Sequence, residues 1–194
     1  MKIILAGPPR SGKSCLRFAL KEVLLNWSRQ SLCPYPYVIT ACPDGEGAWH
    51  HQTAASHPEL ALKLKTENKA SFTPAHAQLY ADSVQKCIQP LVLVDIGGRM
   101  SAENELICAH GTHAILLASE PQQIQAWRTF CHGLGLHVIA EIKSALLDTT
   151  DHVNTTDLGG VFTGSIHRLE RGDATLHTRP TVLALAAHIV KLLV

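Results

Sequence analysis

The sequence predicts a three-layer α/β fold with a mainly parallel sheet, and three observations lead there. Short apolar runs recur along the chain, separated by stretches whose apolar residues repeat at helical spacing. The runs are continuously apolar, as strands read when both of their faces are covered. Between the first run and the first helical stretch stands Gly7-Pro8-Pro9-Arg10-Ser11-Gly12-Lys13-Ser14, a glycine loop at a strand-to-helix turn.

The elements follow in order. Residues 2–6 form the first strand, and residues 13–26 a helix with Leu16, Leu20, Val23, Leu24 and Trp27 on one face. A proline-rich loop leads to a second strand at 38–41, which the turn residues Pro43-Asp44-Gly45 terminate. Helices are expected at 57–66, capped by Ser56, and at 75–88, after Thr73-Pro74. The run from Leu91 is a third strand ending in Asp95, and Ser101 caps a helix over 101–109. Strands at 113–119 and 137–142 flank a helix at 121–133, where Pro121 suits the first turn. Residues 147–160 read as a loop, 161–166 as a sixth strand, and 180–193 as a closing helix with Leu183, Ala186, Ile189 and Val190 inward.

Composition narrows the class. At 194 residues the chain makes one domain, 1–194, with a helical insert at about 45–89. A formal net charge of +1 gives no ground for broad electrostatic binding of nucleic acid. No apolar run approaches the length of a membrane span, and the N-terminus carries no secretory signal, so a cytoplasmic protein is expected. The six cysteines show no C-x-x-C spacing and read as reduced thiols. Among twelve histidines, His50-His51 and His110-x-x-His113 lack a neighbouring cysteine or carboxylate at ligand spacing, so they read as solvated or core residues.

The glycine loop carries the chemistry. It fits G-x-x-x-x-G-K-[ST] with Gly7, Gly12, Lys13 and Ser14. Its glycines let backbone N–H groups from Gly7 through Cys15 converge on one anion, with Pro8, Pro9, Arg10 and Ser11 forming the curl. Lys13 supplies a charge for the β- and γ-phosphates, Ser14 a hydroxyl for Mg²⁺, and the helix that follows directs its positive end at the same place. The fold is therefore read as a P-loop NTPase fold.

Further residues decide which kind. Asp95, at a strand end, is placed to hold Mg²⁺ directly or through water. A single strand separates the loop's strand from that of Asp95, an order that suits the kinase-and-GTPase branch. Ile96, Gly97 and Gly98 follow Asp95, so the water-activating acid of motor-type ATPases is missing there. Asp95-x-x-Gly98 also matches the pattern in which a glycine N–H senses a γ-phosphate. No N-K-x-D follows it, which favours ATP over GTP. Asp44 lies where an acid would face an acceptor hydroxyl, with Glu46 as its neighbour, and reads equally well as part of an Asp-Gly turn. Arg99 is the best-placed arginine for clamping transition-state charge; Arg128, Arg168 and Arg171 read as surface charges.

Together "AGPPRSGKS", "ACPDGEGAW", "LVDIGGR", "THAILLAS", "EIKS" and "TGSIHRLERG" resemble the P-loop domain, often labelled AAA-like, that is fused to small CRISPR-associated ring nucleases of type III systems. The resemblance spans nearly the whole chain and implies an accessory role in cyclic-oligoadenylate signalling, with ATP binding coupled to a ring-nuclease partner. The residues themselves lead to a Mg-ATP-dependent phosphotransferase of small-kinase type acting on a nucleotide or oligonucleotide hydroxyl. Lys13, Asp44, Asp95 and Arg99 are then its catalytic set. The alternative is a nucleotide-gated ATPase that regulates a partner nuclease. Oligomeric state is left open, a homo-oligomer included.

Overall fold

The computed structural model describes residues 1–41, 73–154 and 160–193. Its elements are β1 (Lys2–Ala6), α1 (Lys13–Arg29), β2 (Pro36–Ala41), α2 (Pro74–Lys86), β3 (Leu91–Ile96), α3 (Ala102–Cys108) and β4 (His113–Ala118), then α4 (Pro121–Gly133), β5 (His137–Ala145), β6 (His152–Val153), β7 (Phe162–His167) and α5 (Pro180–Lys191). One seven-stranded sheet runs in the order β2-β3-β1-β4-β5-β7-β6. Every described pairing is parallel except β6 with β7. β1 and β3 are direct neighbours, with Leu5 in register with Asp95. The glycine loop and the end of the Asp95 strand therefore emerge side by side at the carboxyl edge, where sheets of this type hold ligands.

Alternation along each strand sorts the apolar residues between two cores. Ile3, Leu5, Leu93 and Ile115 pack on α1 and α5 through Leu16, Leu20, Leu185 and Ile189. Ile4, Val92, Val94 and Leu116 face the other way, onto α2, α3 and α4 through Ala81, Val84, Ile107 and Trp127. Each fully buried Leu or Ile contributes about 1.5–3 kcal/mol. The sheet is thus a middle layer covered on both faces, as its continuously apolar runs predict.

Capping residues hold the helix starts. Thr73 Oγ1 accepts from His76 N at 3.4 Å, and Ser101 Oγ accepts from Asn104 N at 3.5 Å. Glu120 and Gln123 close a capping box at the start of α4.

Some boundaries and faces differ from expectation. α1 runs on to Arg29, β2 begins at Pro36, and β5 continues to Ala145. The stretch expected to be loop contains β6, whose His152 and Val153 pair antiparallel with Ser165 and Gly164. The buried face of α5 comprises Thr181, Val182, Leu185, Ala186 and Ile189, while Leu183 is 39% exposed. In so apolar a helix the period alone permits several faces. Docking selects this one, because Thr181 Oγ1 donates to Ser165 O at 3.0 Å and fixes the helix's rotation. The expected helix at 57–66, its cap Ser56 and most of the helical insert lie outside the described residues, as do Cys42 and His50-His51.

Candidate functional site

The loop between β1 and α1 curls because its backbone enters left-handed space at Arg10 (φ 62°) and Gly12 (φ 93°). Gly12 is also the N-cap of α1. A side chain there would meet Leu169 Cδ1 at 2.7 Å, so glycine is required by conformation and by space. Lys13 turns back over the curl: its Nζ donates to Gly7 O and Pro8 O, both at 2.8 Å. Lys13 is buried, and Ser14 is half-buried in the first turn of α1. Ser11 Oγ is buried without a hydrogen-bond partner among the described residues. Pro9 and Arg10 are exposed at the rim, and Cys15 is buried beneath.

Asp95 points to the α1 side of the sheet, as its neighbours Leu91 and Leu93 do. It is 1% exposed. Arg17, one helical turn beyond Lys13 and 3% exposed, pairs with it, Nε to Oδ2 at 3.7 Å. Arg17 escaped the sequence reading. Its signal was a charge amid the buried side of a helix, between Leu16 and Leu20.

The segment after β3 is built onto the glycine loop. A Cβ on Gly98 would lie 2.6 Å from Pro9 Cα and 2.7 Å from Pro8 C, so the two backbones touch. Asn104, buried in α3, holds the segment from the other side: its Nδ2 donates to Gly97 O at 3.0 Å and Arg99 O at 2.7 Å. Arg99 and Met100 are exposed at its tip. Asn104 was another residue the sequence reading missed, since a lone asparagine in a short helix carries no pattern.

The turn after β7 forms a third wall, bringing Leu169 onto Gly12. Asp151, 1% exposed, accepts from His167 N at 3.1 Å and contacts His167 Nδ1 at 2.6 Å. Arg179 donates to His167 O and to Asp173 Oδ2, the latter at 2.7 Å. Hydrogen bonds from Thr175, then from Arg179, hold the Asp173 carboxyl below its usual 3.8. These side chains are far apart in sequence, and only the fold reveals their association.

Of the arginines, Arg128 is no plain surface charge. It forks onto Glu141, Nε to Oε1 and Nη2 to Oε2 both at 2.5 Å, and lines a crevice of about 380 Å³ between α4, β5 and β7. Arg168 (φ 40°) and Arg171 are exposed on the turn beside Leu169. Asp44 and Glu46 lie outside the described residues. Among the described residues no cluster of three or more potential metal-ligating side chains occurs, and no helix is long and apolar enough to cross a membrane.

A nucleotide's phosphates fit this arrangement. Left-handed positions curl the loop, and a buried lysine lies across the curl. Mg²⁺ fits the hard oxygen donors, Ser14 on α1 and Asp95 on the sheet face that α1 covers.

No protein-family model and no curated protein matches the chain. Solved structures do. A protein described as a plasmid partition protein from Borrelia burgdorferi B31, bound to AMPPNP, superposes with a TM-score of 0.58 at 10% identity over 98% of this chain and 96% of that one. The septum site-determining protein MinD from Pyrococcus horikoshii OT3, complexed with Mg-ADP, matches at 12% identity and a TM-score of 0.47 over 74% of this chain and 70% of that one. The first likeness shows a shared fold: α/β, with a mostly parallel sheet, of the P-loop NTPase kind.

Proposed function

We propose that this chain binds Mg-ATP at Gly7–Ser14 and works as a nucleotide-gated P-loop ATPase. The observation that carries this reading is the direct contact of Gly98 with Pro8 and Pro9, with Asn104 holding the same segment to α3. A phosphate in the loop cannot shift Pro8 and Pro9 without moving the segment that starts at Asp95, and that movement reaches α3. The AMPPNP in the matching plasmid partition protein agrees in ligand class with the donors present here.

When bound, Mg²⁺ would supply positive charge to the β- and γ-phosphates. Ser14 and Asp95 would hold it, Gly7–Cys15 would cradle phosphate oxygens, and Lys13 would exchange its two loop carbonyls for phosphate. Arg99, exposed at the tip of the Gly98 segment, would stabilise developing charge.

A second reading is a small-kinase phosphotransferase. The adjacency of β1 and β3 and the absence of an acid directly after Asp95 favour it. Asp44 would then face the acceptor, a nucleotide or oligonucleotide hydroxyl. A ring-nuclease partner and a role in cyclic-oligoadenylate signalling rest on the sequence resemblance alone. ADP release measured with and without added oligoadenylate separates the two readings. Release independent of acceptor supports the ATPase. Release only with acceptor, cut about 10²–10⁴-fold in Asp44→Asn, supports the kinase.

A further inference from the structure

We propose that Arg17 and a divalent cation compete for the Asp95 carboxylate, so that Arg17 sets the threshold at which the site accepts metal. This rests on the reading of Asp95 as a cation ligand. Lys13 and Arg17 stand four residues apart on α1, hence on one face of the helix, and that face lies against the sheet where Asp95 points. Both partners of the Arg17–Asp95 pair are almost wholly buried. A buried carboxylate needs a compensating charge close by, and Arg17 provides it.

The geometry differs from that of a permanent structural pair. In the same molecule Arg128 takes Glu141 in a two-pronged fork at 2.5 Å. Arg17 approaches Asp95 at 3.7 Å, beyond hydrogen-bond length, and supplies charge without that fork. A divalent ion on the same carboxylate would sit close to the guanidinium in a medium of low dielectric, where like charges repel strongly. Bare metal is therefore held weakly. The triphosphate changes the balance, because its negative charge offsets the excess of cations. Metal and nucleotide then enter together, and the empty loop does not load with metal alone.

Binding of Mn²⁺, read by electron paramagnetic resonance with and without AMPPNP, tests this in wild type, Arg17→Met, Asp95→Asn and the double variant. Arg17→Met should bind bare Mn²⁺ about tenfold or more tighter than wild type, with a smaller gain in the presence of AMPPNP. Asp95→Asn should erase that gain. If folded Arg17→Met binds bare Mn²⁺ no tighter than wild type, the competition is wrong and Arg17 instead steadies Asp95 for the metal. If Asp95→Asn leaves Mn²⁺-dependent AMPPNP binding intact, the cation-ligand reading fails and takes this inference with it. Should Arg17→Met fail to fold, wild-type protein still decides. The Arg17 Nε–H signal in a nitrogen-15 spectrum, assigned by its loss in Arg17→Lys, should shift on adding Mg²⁺ and AMPPNP together. A signal unmoved by them would overturn the competition.

Discussion

Lys13 has two jobs, and the second is visible only in three dimensions. Its ammonium ties Gly7 O to Pro8 O, so it shapes the loop in addition to the phosphate contact proposed for it. Lys13→Ala should therefore weaken ATP binding and also lower stability by about 1–3 kcal/mol, the range for losing hydrogen bonds from a charged donor. Calorimetry with ATP and a denaturant melt check both halves. Lost affinity at unchanged stability would mean that the two carbonyl contacts count for nothing. Gly98 gains a role as well. A γ-phosphate sensor would lose discrimination on substitution and keep its affinity. Gly98 lies on the backbone of Pro8 and Pro9, so a methyl group there must displace the phosphate loop itself. Gly98→Ala should weaken ATP and ADP alike, by the about 1–3 kcal/mol typical of overpacking. An effect confined to ATP, measured by titration with both nucleotides, would support the sensing role instead.

At the scale of elements, short contacts connect the walls of the site. Asn104 in α3 grips Gly97 O and Arg99 O, and cutting that grip should free the segment after β3. Asn104→Ala should cost about 1–2 kcal/mol and raise hydrogen exchange over residues 96–100, while β1 and β4 stay protected. Exchange unchanged in that segment would refute the clamp. α5 brings a pH dependence. His188 contacts Ile139 O at 3.1 Å. Burial, and then Lys191, hold its imidazole below its usual 6.5, against the opposing pull of that hydrogen bond. His113 is likewise lowered, by burial and then by His137. Both groups bind protons more readily in the unfolded chain. Their contribution is present in full above pH 6.5 and is lost as pH falls from there through their lower folded values. Melting temperature should drop on acidification through that window, and His188→Gln should shallow the slope. A slope identical in the variant would remove His188 from the account.

For the molecule as a whole, the legible part of the sequence was whatever repeats or carries a motif. Continuous apolar runs announced a sheet covered on both faces, and the motif at Gly7–Ser14 announced a curled loop between β1 and α1. One strand separates β1 from β3 along the chain, and the sheet places the two side by side. What stayed hidden were single side chains that matter through distant partners. Arg17 is an isolated charge until Asp95 is seen beneath α1. Leu169 has no meaning until the turn after β7 folds over Gly12. Asp151, His167, Asp173 and Arg179 are scattered until one turn gathers them. In the closing helix Ala186 and Ile189 face inward as expected, while Leu183 faces out and Val182 and Leu185 take the buried side, because a nearly all-apolar helix does not fully declare its own face.

The central claim is that the curled loop holds a triphosphate together with a metal shared by Ser14 and Asp95. Calorimetric titration of the protein with AMPPNP, run with Mg²⁺ and again with chelator, tests it most directly. The account predicts binding that strengthens when Mg²⁺ is present and loses that gain in Asp95→Asn. Absence of nucleotide binding by folded wild-type protein, or binding indifferent to Mg²⁺, would contradict it.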